Sequence, residues 1–334
     1  MELFEYSRPA TASQAVAAGS KSNTAQQGAK VRFIAGGTTL YDLMKLDVER
    51  PEQVVDINHL PFDKVEATAD GGLRIGALVR NSDLAHHPEV AKNYRVLSEA
   101  LLSGASGQLR NRATTGGNLL QRTRCVYFRD TAYPCNKREP GSGCSAVEGY
   151  NRNLAILGGS DHCIATNPSD MNVALMALDA VIHIQGTSGE RAVPISQFFM
   201  LPGDHPDEEN VLHPGDLVTH VSLPKLSEGT TSLYLKLRDR ASYEFALAST
   251  AVVATVKNGV FEGIRIALGG VGTVPWRAHA AEALLLGSKV DEAQFRPAAE
   301  AVLKEAKPQS MNGFKVELAK RCMVHALTLA TRNA

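Results

Sequence analysis

Four of the five cysteines of this 334-residue chain fall in one stretch, residues 110–171. Cys125, Cys135, Cys144 and Cys163 are separated by nine, eight and eighteen residues. This is neither the CxxC…CxxC of a zinc ribbon nor the compact cysteine run of a bacterial ferredoxin. Spacing this wide puts each thiol on its own turn of an irregular loop. Tyr133-Pro134, Pro140-Gly141 and Gly143 supply the turn-formers. Between residues 124 and 149 there is little apolar periodicity, so the segment is expected to build no core of its own. A metal centre explains such an insert best. Four thiolates suit tetrahedral zinc or a 4Fe–4S cluster. Two disulfides are a third option, requiring an oxidising compartment, and unrelated thiols a fourth. Cys322 shares a helical pattern with Leu318, His325 and Leu329, the position of a buried helix residue.

The same stretch carries Ala113-Thr114-Thr115-Gly116-Gly117-Asn118-Leu119. Paired glycines let a backbone approach an anion and offer it amide donors, and Thr114 and Asn118 could add side-chain donors. A companion lies upstream. Residues 31–35 are β-branched and aromatic, and they run into Gly36-Gly37-Thr38-Thr39. Leu40, Leu43 and Met44 follow at helical spacing. Strand, glycine turn, helix is the layout of a phosphate cradle, with turn amides and the helix N-terminus facing the anion. The sequence matches neither GxGxxG nor GxxxxGK[ST], which argues against a Rossmann fingerprint or a P-loop. A dinucleotide with two phosphates could be clamped between the two turns.

Length suggests two or three domains, enough chain for a full core. Lys plus Arg and Asp plus Glu balance at 35 each, so no attraction to nucleic acid or to a membrane surface is implied. No apolar run reaches membrane-span length, and residues 1–15 lack a basic then apolar leader pattern, so no signal peptide is expected. The chain reads as three blocks. Residues 1–60 form a small α/β unit, with a short helix around residues 13–17 and strands at 31–35 and 53–58. Residues 61–225 contain a hairpin around Asp70-Gly71-Gly72, helices near 84–87, 94–102 and 171–178, strands at 180–185 and 217–223, and the cysteine insert at 122–165. Asp170 would cap the 171–178 helix. Residues 226–334 are α+β: strands at 233–237, 252–256 and 260–268, the last two joined by Asn258-Gly259 as a type I′ turn, then helices at 277–286, 291–306 and 312–331. His162 and His220 read as structural. Most of Arg110, Arg112, Arg122, Arg124 and Arg129 read as solvated, with phosphates or a partner as their alternative contacts.

In combination these motifs resemble a known family. Phe33-Ile34-Ala35-Gly36-Gly37-Thr38-Thr39-Leu40, Ala113 to Leu119, Pro168-Ser169-Asp170 and Tyr234-Leu235-Lys236 are similar, in order and over nearly the whole length, to FAD-binding subunits of the molybdenum hydroxylases. That group includes xanthine dehydrogenases, aldehyde oxidoreductases and carbon monoxide dehydrogenases. The cysteine run, together with Arg238-Asp239-Arg240-Ala241-Ser242-Tyr243, resembles most the FAD subunit of three-subunit bacterial aldehyde oxidoreductases, whose insert binds a 4Fe–4S cluster. A similar insert occurs in the flavin subunit of 4-hydroxybenzoyl-CoA reductase.

The resemblance implies an α+β chain: a two-subdomain FAD-binding fold of the vanillyl-alcohol-oxidase type, then a C-terminal domain of the CO dehydrogenase flavoprotein type. It implies FAD and a 4Fe–4S cluster as cofactors, the latter on Cys125, Cys135, Cys144 and Cys163. The two glycine turns would hold the pyrophosphate, Asp170 the flavin's sugar chain, with Lys236 near the isoalloxazine and Val218 touching the ring. The full cofactor-binding set is Phe33, Ile34, Ala35, Gly36, Gly37, Thr38, Thr39, Leu40, Thr114, Gly116, Gly117, Asn118, Gln121, Asp170, Val218 and Lys236. Gly104 stands about where eukaryotic xanthine dehydrogenases carry a ring-stacking Phe. The implied partners are a molybdenum-cofactor large subunit and a 2Fe–2S small subunit in a heterotrimer, with an external electron acceptor. Substrate chemistry would occur on the partner, so no catalytic base or nucleophile is required here. Export to the periplasm would ride on a partner's signal; the alternative is the cytoplasm. Competing readings are a xanthine dehydrogenase or hydroxybenzoyl-CoA reductase flavin subunit, a nucleotide-binding module with structural zinc, and a flavoenzyme acting alone.

Overall fold

The computed structural model describes residues 1–332. Its strands, in chain order, are β1 (Glu5–Ser7), β2 (Val31–Ile34), β3 (Gln53–Asp56), β4 (Val65–Ala67), β5 (Leu73–Gly76), β6 (Val181–Gly186), β7 (Gly189–Pro194), β8 (Leu217–Leu223), β9 (Thr230–Leu237), β10 (Ala248–Lys257), β11 (Val260–Gly269) and β12 (Trp276–Arg277). They make three sheets: a parallel one in the order β1-β3-β2, an antiparallel one in the order β4-β5-β8-β6-β7, and an antiparallel one in the order β12-β11-β10-β9. The third unit was expected to run to residue 334; its last two residues lie outside those described.

The β10–β11 hairpin turns on Asn258 and Gly259, with φ of 52° and 72°, the left-handed pair a type I′ turn demands. Three strands escaped the sequence reading, one of them the two-residue β12, where a helix was expected to begin at residue 277. β1 is three residues long and largely exposed at its sheet edge. β7 reads GERAVP, polar with a terminal proline, as suits an outer strand.

One helix locks the second and third units together. Asp170–Ala177 is buried along its whole length. It packs against the Arg95–Ser103 helix on one side and β10 and β11 on the other. A helix apolar all round needs partners all round, and these supply them. Its first turn is therefore fixed in space.

The cysteine insert corrects an expectation. Regular structure there is limited to the one-turn helices Val126–Arg129 and Ser145–Glu148 and two isolated bridges, Cys135 to Cys144 and Leu157 to Gly272. It nevertheless has a core: Cys125, Phe128, Cys135, Ala146, Cys163 and Ile164 are buried together against Leu43 and Val48. The thiols themselves supply much of that apolar surface, which hydropathy periodicity does not register.

Candidate functional site: two glycine turns, two cavities and a thiol-lined insert

The two glycine turns meet. A Cβ on Gly36 would stand 2.1 Å from the carbonyl oxygen of Arg112, so only glycine lets these backbones touch. A short network fixes the contact. Arg80 donates to the same Arg112 oxygen at 2.7 Å and to Asn58 Oδ1 at 3.1 Å, and Asn58 Nδ2 donates to the Ala35 carbonyl at 2.9 Å. Neither Arg80 nor Asn58 stood out in the sequence, because nothing local distinguishes them from surface residues.

The turns differ in what they offer. Among the described residues, no protein acceptor takes the amides of Gly36, Gly37, Thr38 and Thr39. At the second turn the amides are used: Gly116 donates to Ala77 O at 2.8 Å, Thr115 to Val79 O at 2.9 Å, and Gly117 to Thr114 Oγ1 at 3.2 Å. The expectation that Gly116 and Gly117 present donors to an anion is corrected: Thr114 caps its own short helix with that hydroxyl. The helix-dipole argument at the first turn also weakens, because the helix is only Leu40–Lys45.

Two cavities open on either side of the joint. The first, about 220 Å³, is walled by Phe33, Ile34, Ala35, Gly36, Gly37, Thr38, Thr39 and Leu40, together with Thr114, Gly116, Gly117 and Val218. The second, about 270 Å³, is lined by Asn118, Gln121, Asp170 and Lys236. Thr38, Thr39 and Gly117 border both. Ligand pockets run to roughly 300–1,000 Å³, a size neither cavity reaches alone, so the pair suits one long ligand crossing the joint. Polar groups are waiting there. Arg122 Nη2 at the first cavity, and Arg110 Nε and Arg124 Nε at the second, are buried donors with no protein partner. Unpaired buried donors are costly, and an anionic ligand would satisfy them. Val218 and Lys236, both expected at the flavin ring, line different but adjoining cavities.

At the second cavity the carboxylate of Asp170 is fully engaged. The helix cap is Ser169, whose hydroxyl accepts from the Asn172 amide at 3.1 Å; Asp170 is the first helical residue, which corrects its reading as the cap. Freed from capping, its carboxylate accepts from Tyr234 Oη at 2.6 Å and pairs with Lys236 Nζ at 2.7 Å. Lys236 also donates to Ser103 O at 3.1 Å, and its side chain is 3% exposed, unlike a surface strand lysine. Burial, then the neighbouring Asp170 charge, raises the Tyr234 phenol well above its ordinary value, so it stays a donor. Asn118 Oδ1 accepts from Ser169 Oγ at 2.8 Å and from Gln121, tying the second turn to this helix start. Gly104, Tyr243 and Phe245 line the same cavity.

The four insert cysteines line one small cavity with Phe128, Ala146 and Ile164. None is disulfide-bonded. Burial pushes the Cys125 thiol up to about 12 and raises Cys163 too, against the pull of Lys137. Among the described residues, no three Cys, His, Asp or Glu side chains form a group able to hold a metal ion. The arginines around the insert are not solvated. Arg122 pairs with Glu49 at 2.6 Å and with Glu209, while Arg124 and Arg129 share Asp42 at 3.0 and 2.8 Å. They rivet the insert to the first unit. His162 is exposed beside Asp204, and His220 stacks on His183 at 4.0 Å, where burial and the His183 and Arg74 charges lower it to about 4. His162 borders the thiol cavity, and His220 borders none of the three cavities.

A parallel unit and an antiparallel unit thus meet at glycine turns, followed by a four-stranded sheet under helices. Residues 2–226 match the family model of the FAD binding domain in molybdopterin dehydrogenase, and residues 233–330 that of the CO dehydrogenase flavoprotein C-terminal domain. The chain belongs to the FAD-binding medium subunits of the molybdenum hydroxylases. It is 48% identical to the aldehyde oxidoreductase FAD-binding subunit PaoB of Escherichia coli, with both chains covered in full. It is 29% identical to the glyceraldehyde dehydrogenase medium chain of Sulfolobus acidocaldarius, over 84% of this chain and 82% of that one. Among solved structures it is similar to a chain of carbon monoxide dehydrogenase from Hydrogenophaga pseudoflava, with TM-score 0.77, 26% identity and coverage of 99% and 98%. No helix among the described residues is long and apolar enough to cross a membrane.

Proposed function

We propose that this chain is the electron-transfer subunit of a molybdenum-dependent aldehyde oxidoreductase. In this reading it holds FAD between the 2Fe–2S clusters of a small partner subunit and an external acceptor, with aldehyde chemistry on a molybdenum-cofactor large subunit. The observation that carries it is the joint at Gly36 and Arg112, with a cavity on each side and free amides only at the first turn. The relative at 48% identity favours an aldehyde oxidoreductase over a xanthine dehydrogenase type. FAD supplies an acceptor that takes electrons in pairs and can release them singly. The chain's own residues bind and orient it. The amides of residues 36–39 meet the pyrophosphate, Gly117 leaves room for it, Phe33 to Leu40 and Val218 enclose the adenosine half, and Asn118, Gln121, Asp170 and Lys236 border the flavin half. Units 1–60, 61–225 and 226–334 would be the domains, the first two gripping the cofactor.

The cysteine insert would carry a 4Fe–4S cluster on Cys125, Cys135, Cys144 and Cys163. The support is the donor set: four thiols that line one cavity, the ligand number of such a cluster. Bound iron would also offset the cost of ionising buried thiols. Residence in the periplasm would follow from co-export with a partner; a cytoplasmic complex is the alternative. The test is analysis of the purified complex. One FAD and about four irons and four sulfides per chain, beyond those of the small subunit, are expected. About one zinc and no additional iron would overturn the cluster, and absence of flavin would overturn the function.

A further inference from the structure

We infer that Tyr234 and Asp170 act as positioning residues that set how much of the Lys236 charge the bound flavin feels. This rests on the reading above that the second cavity receives the ring. Lys236 is a cation buried on that cavity wall, and its ammonium is held by Asp170 at 2.7 Å and the Ser103 carbonyl at 3.1 Å. Asp170 divides its charge. One oxygen takes Lys236, and the other takes the Tyr234 phenol at 2.6 Å. The phenol is itself buried, on the inward face of β9, and its backbone amide is held by Glu99 at 2.8 Å. Gly104 completes the arrangement: a Cβ there would lie 3.3 Å from Asp170 Oδ2, pressing on the oxygen that holds the lysine.

The physical consequence has a sign. A hydrogen bond from the phenol withdraws charge from the carboxylate and leaves the ammonium more of its field for the ring. Removing it strengthens the Asp170–Lys236 pairing and adds unshared negative charge beside the ring, which disfavours a reduced, anionic flavin. Removing the carboxylate does the reverse, because the ammonium then faces the ring uncompensated. A structural role for Tyr234 would not produce opposite signs from two neighbouring substitutions.

The test is a redox titration of the flavin in the purified holoenzyme, followed by flavin difference spectra, for wild type, Tyr234→Phe and Asp170→Asn. Loss of one hydrogen bond to a charged group is expected to shift the two-electron equilibrium roughly tenfold, about 30 mV downward for Tyr234→Phe. Asp170→Asn is expected to move it upward by at least as much. Unchanged potentials, or shifts of the same sign, overturn the inference. Where Asp170→Asn fails to retain flavin, Lys236→Gln replaces it and must lower the potential further than Tyr234→Phe does; an equal or smaller fall overturns the inference. A wild-type complex without flavin would instead sink the functional reading itself.

Discussion

The two glycine pairs look interchangeable in sequence, and they do different work. Gly36-Gly37 keeps its amides free, and needs glycine at 36 because another backbone lies against it and at 37 because φ is +75°. Gly116-Gly117 sits in a five-residue helix whose amides are taken by Ala77, Val79 and Thr114. Its glycines keep side chains away from the Ala77 backbone and from the passage between the cavities. The first turn supplies donors, and the second supplies space. A Gly-Gly motif therefore does not identify a phosphate cradle until the destination of each amide is known.

Substitution at Gly36 should have the largest effect. In Gly36→Ala the new methyl would meet the Arg112 carbonyl oxygen and carbon at 2.1 and 2.9 Å, backbone atoms that move only if the units part. A loss of about 3 kcal/mol or more is expected, together with loss of flavin. Urea unfolding and flavin absorbance per chain measure both. A variant of wild-type stability with full flavin would show that the turns are not held in contact.

Gly117→Ala should separate stability from binding. The residue is helical, so alanine gains roughly 0.8–1 kcal/mol of propensity, against one contact at 3.0 Å with Thr114 Oγ1. Stability should stay within about 1 kcal/mol of wild type. Flavin content should nonetheless fall severalfold, because the methyl enters the passage bordering both cavities. Equal flavin loading in this variant would remove the spatial role assigned to the second turn.

Most of the site's address was legible in the chain. Every residue from Phe33 to Leu40, and each of Thr114, Gly116, Gly117, Asn118, Gln121, Asp170, Val218 and Lys236, borders one of the two cavities. Roles were less legible than positions. Asp170 looked like a helix cap because Ser169 and Asp170 are both good caps, and sequence does not say which side chain turns back. Lys236 could not be told from a surface strand lysine, since its burial depends on Asp170, 66 residues away. The insert's core escaped because thiols, rather than a run of leucines, form it. The arginines around it escaped for the same long-range reason: Glu49 and Glu209 are distant in sequence from Arg122.

Acid should distinguish the two cavities by a smaller effect. Beside the first, Arg122 is held by Glu209, which also meets Lys137 at 3.1 Å. Burial alone would raise the Glu209 carboxyl, but the Arg122 and Lys137 charges and hydrogen bonds outweigh it and hold it at about 2, against an ordinary 4.5. A carboxyl lowered on folding stabilises the fold above its unfolded value, and that contribution fades as pH falls from about 5 toward 2. The expected size is about 1–2 kcal/mol, since part of the side chain meets solvent. Urea unfolding of wild type and Glu209→Gln at several pH values isolates it: the stability gap should be full at pH 6 and nearly closed by pH 2.5. A gap that ignores pH would mean the Arg122 ion pair does not fasten the insert to the first cavity, leaving Glu49 and the thiol-lined core to do so.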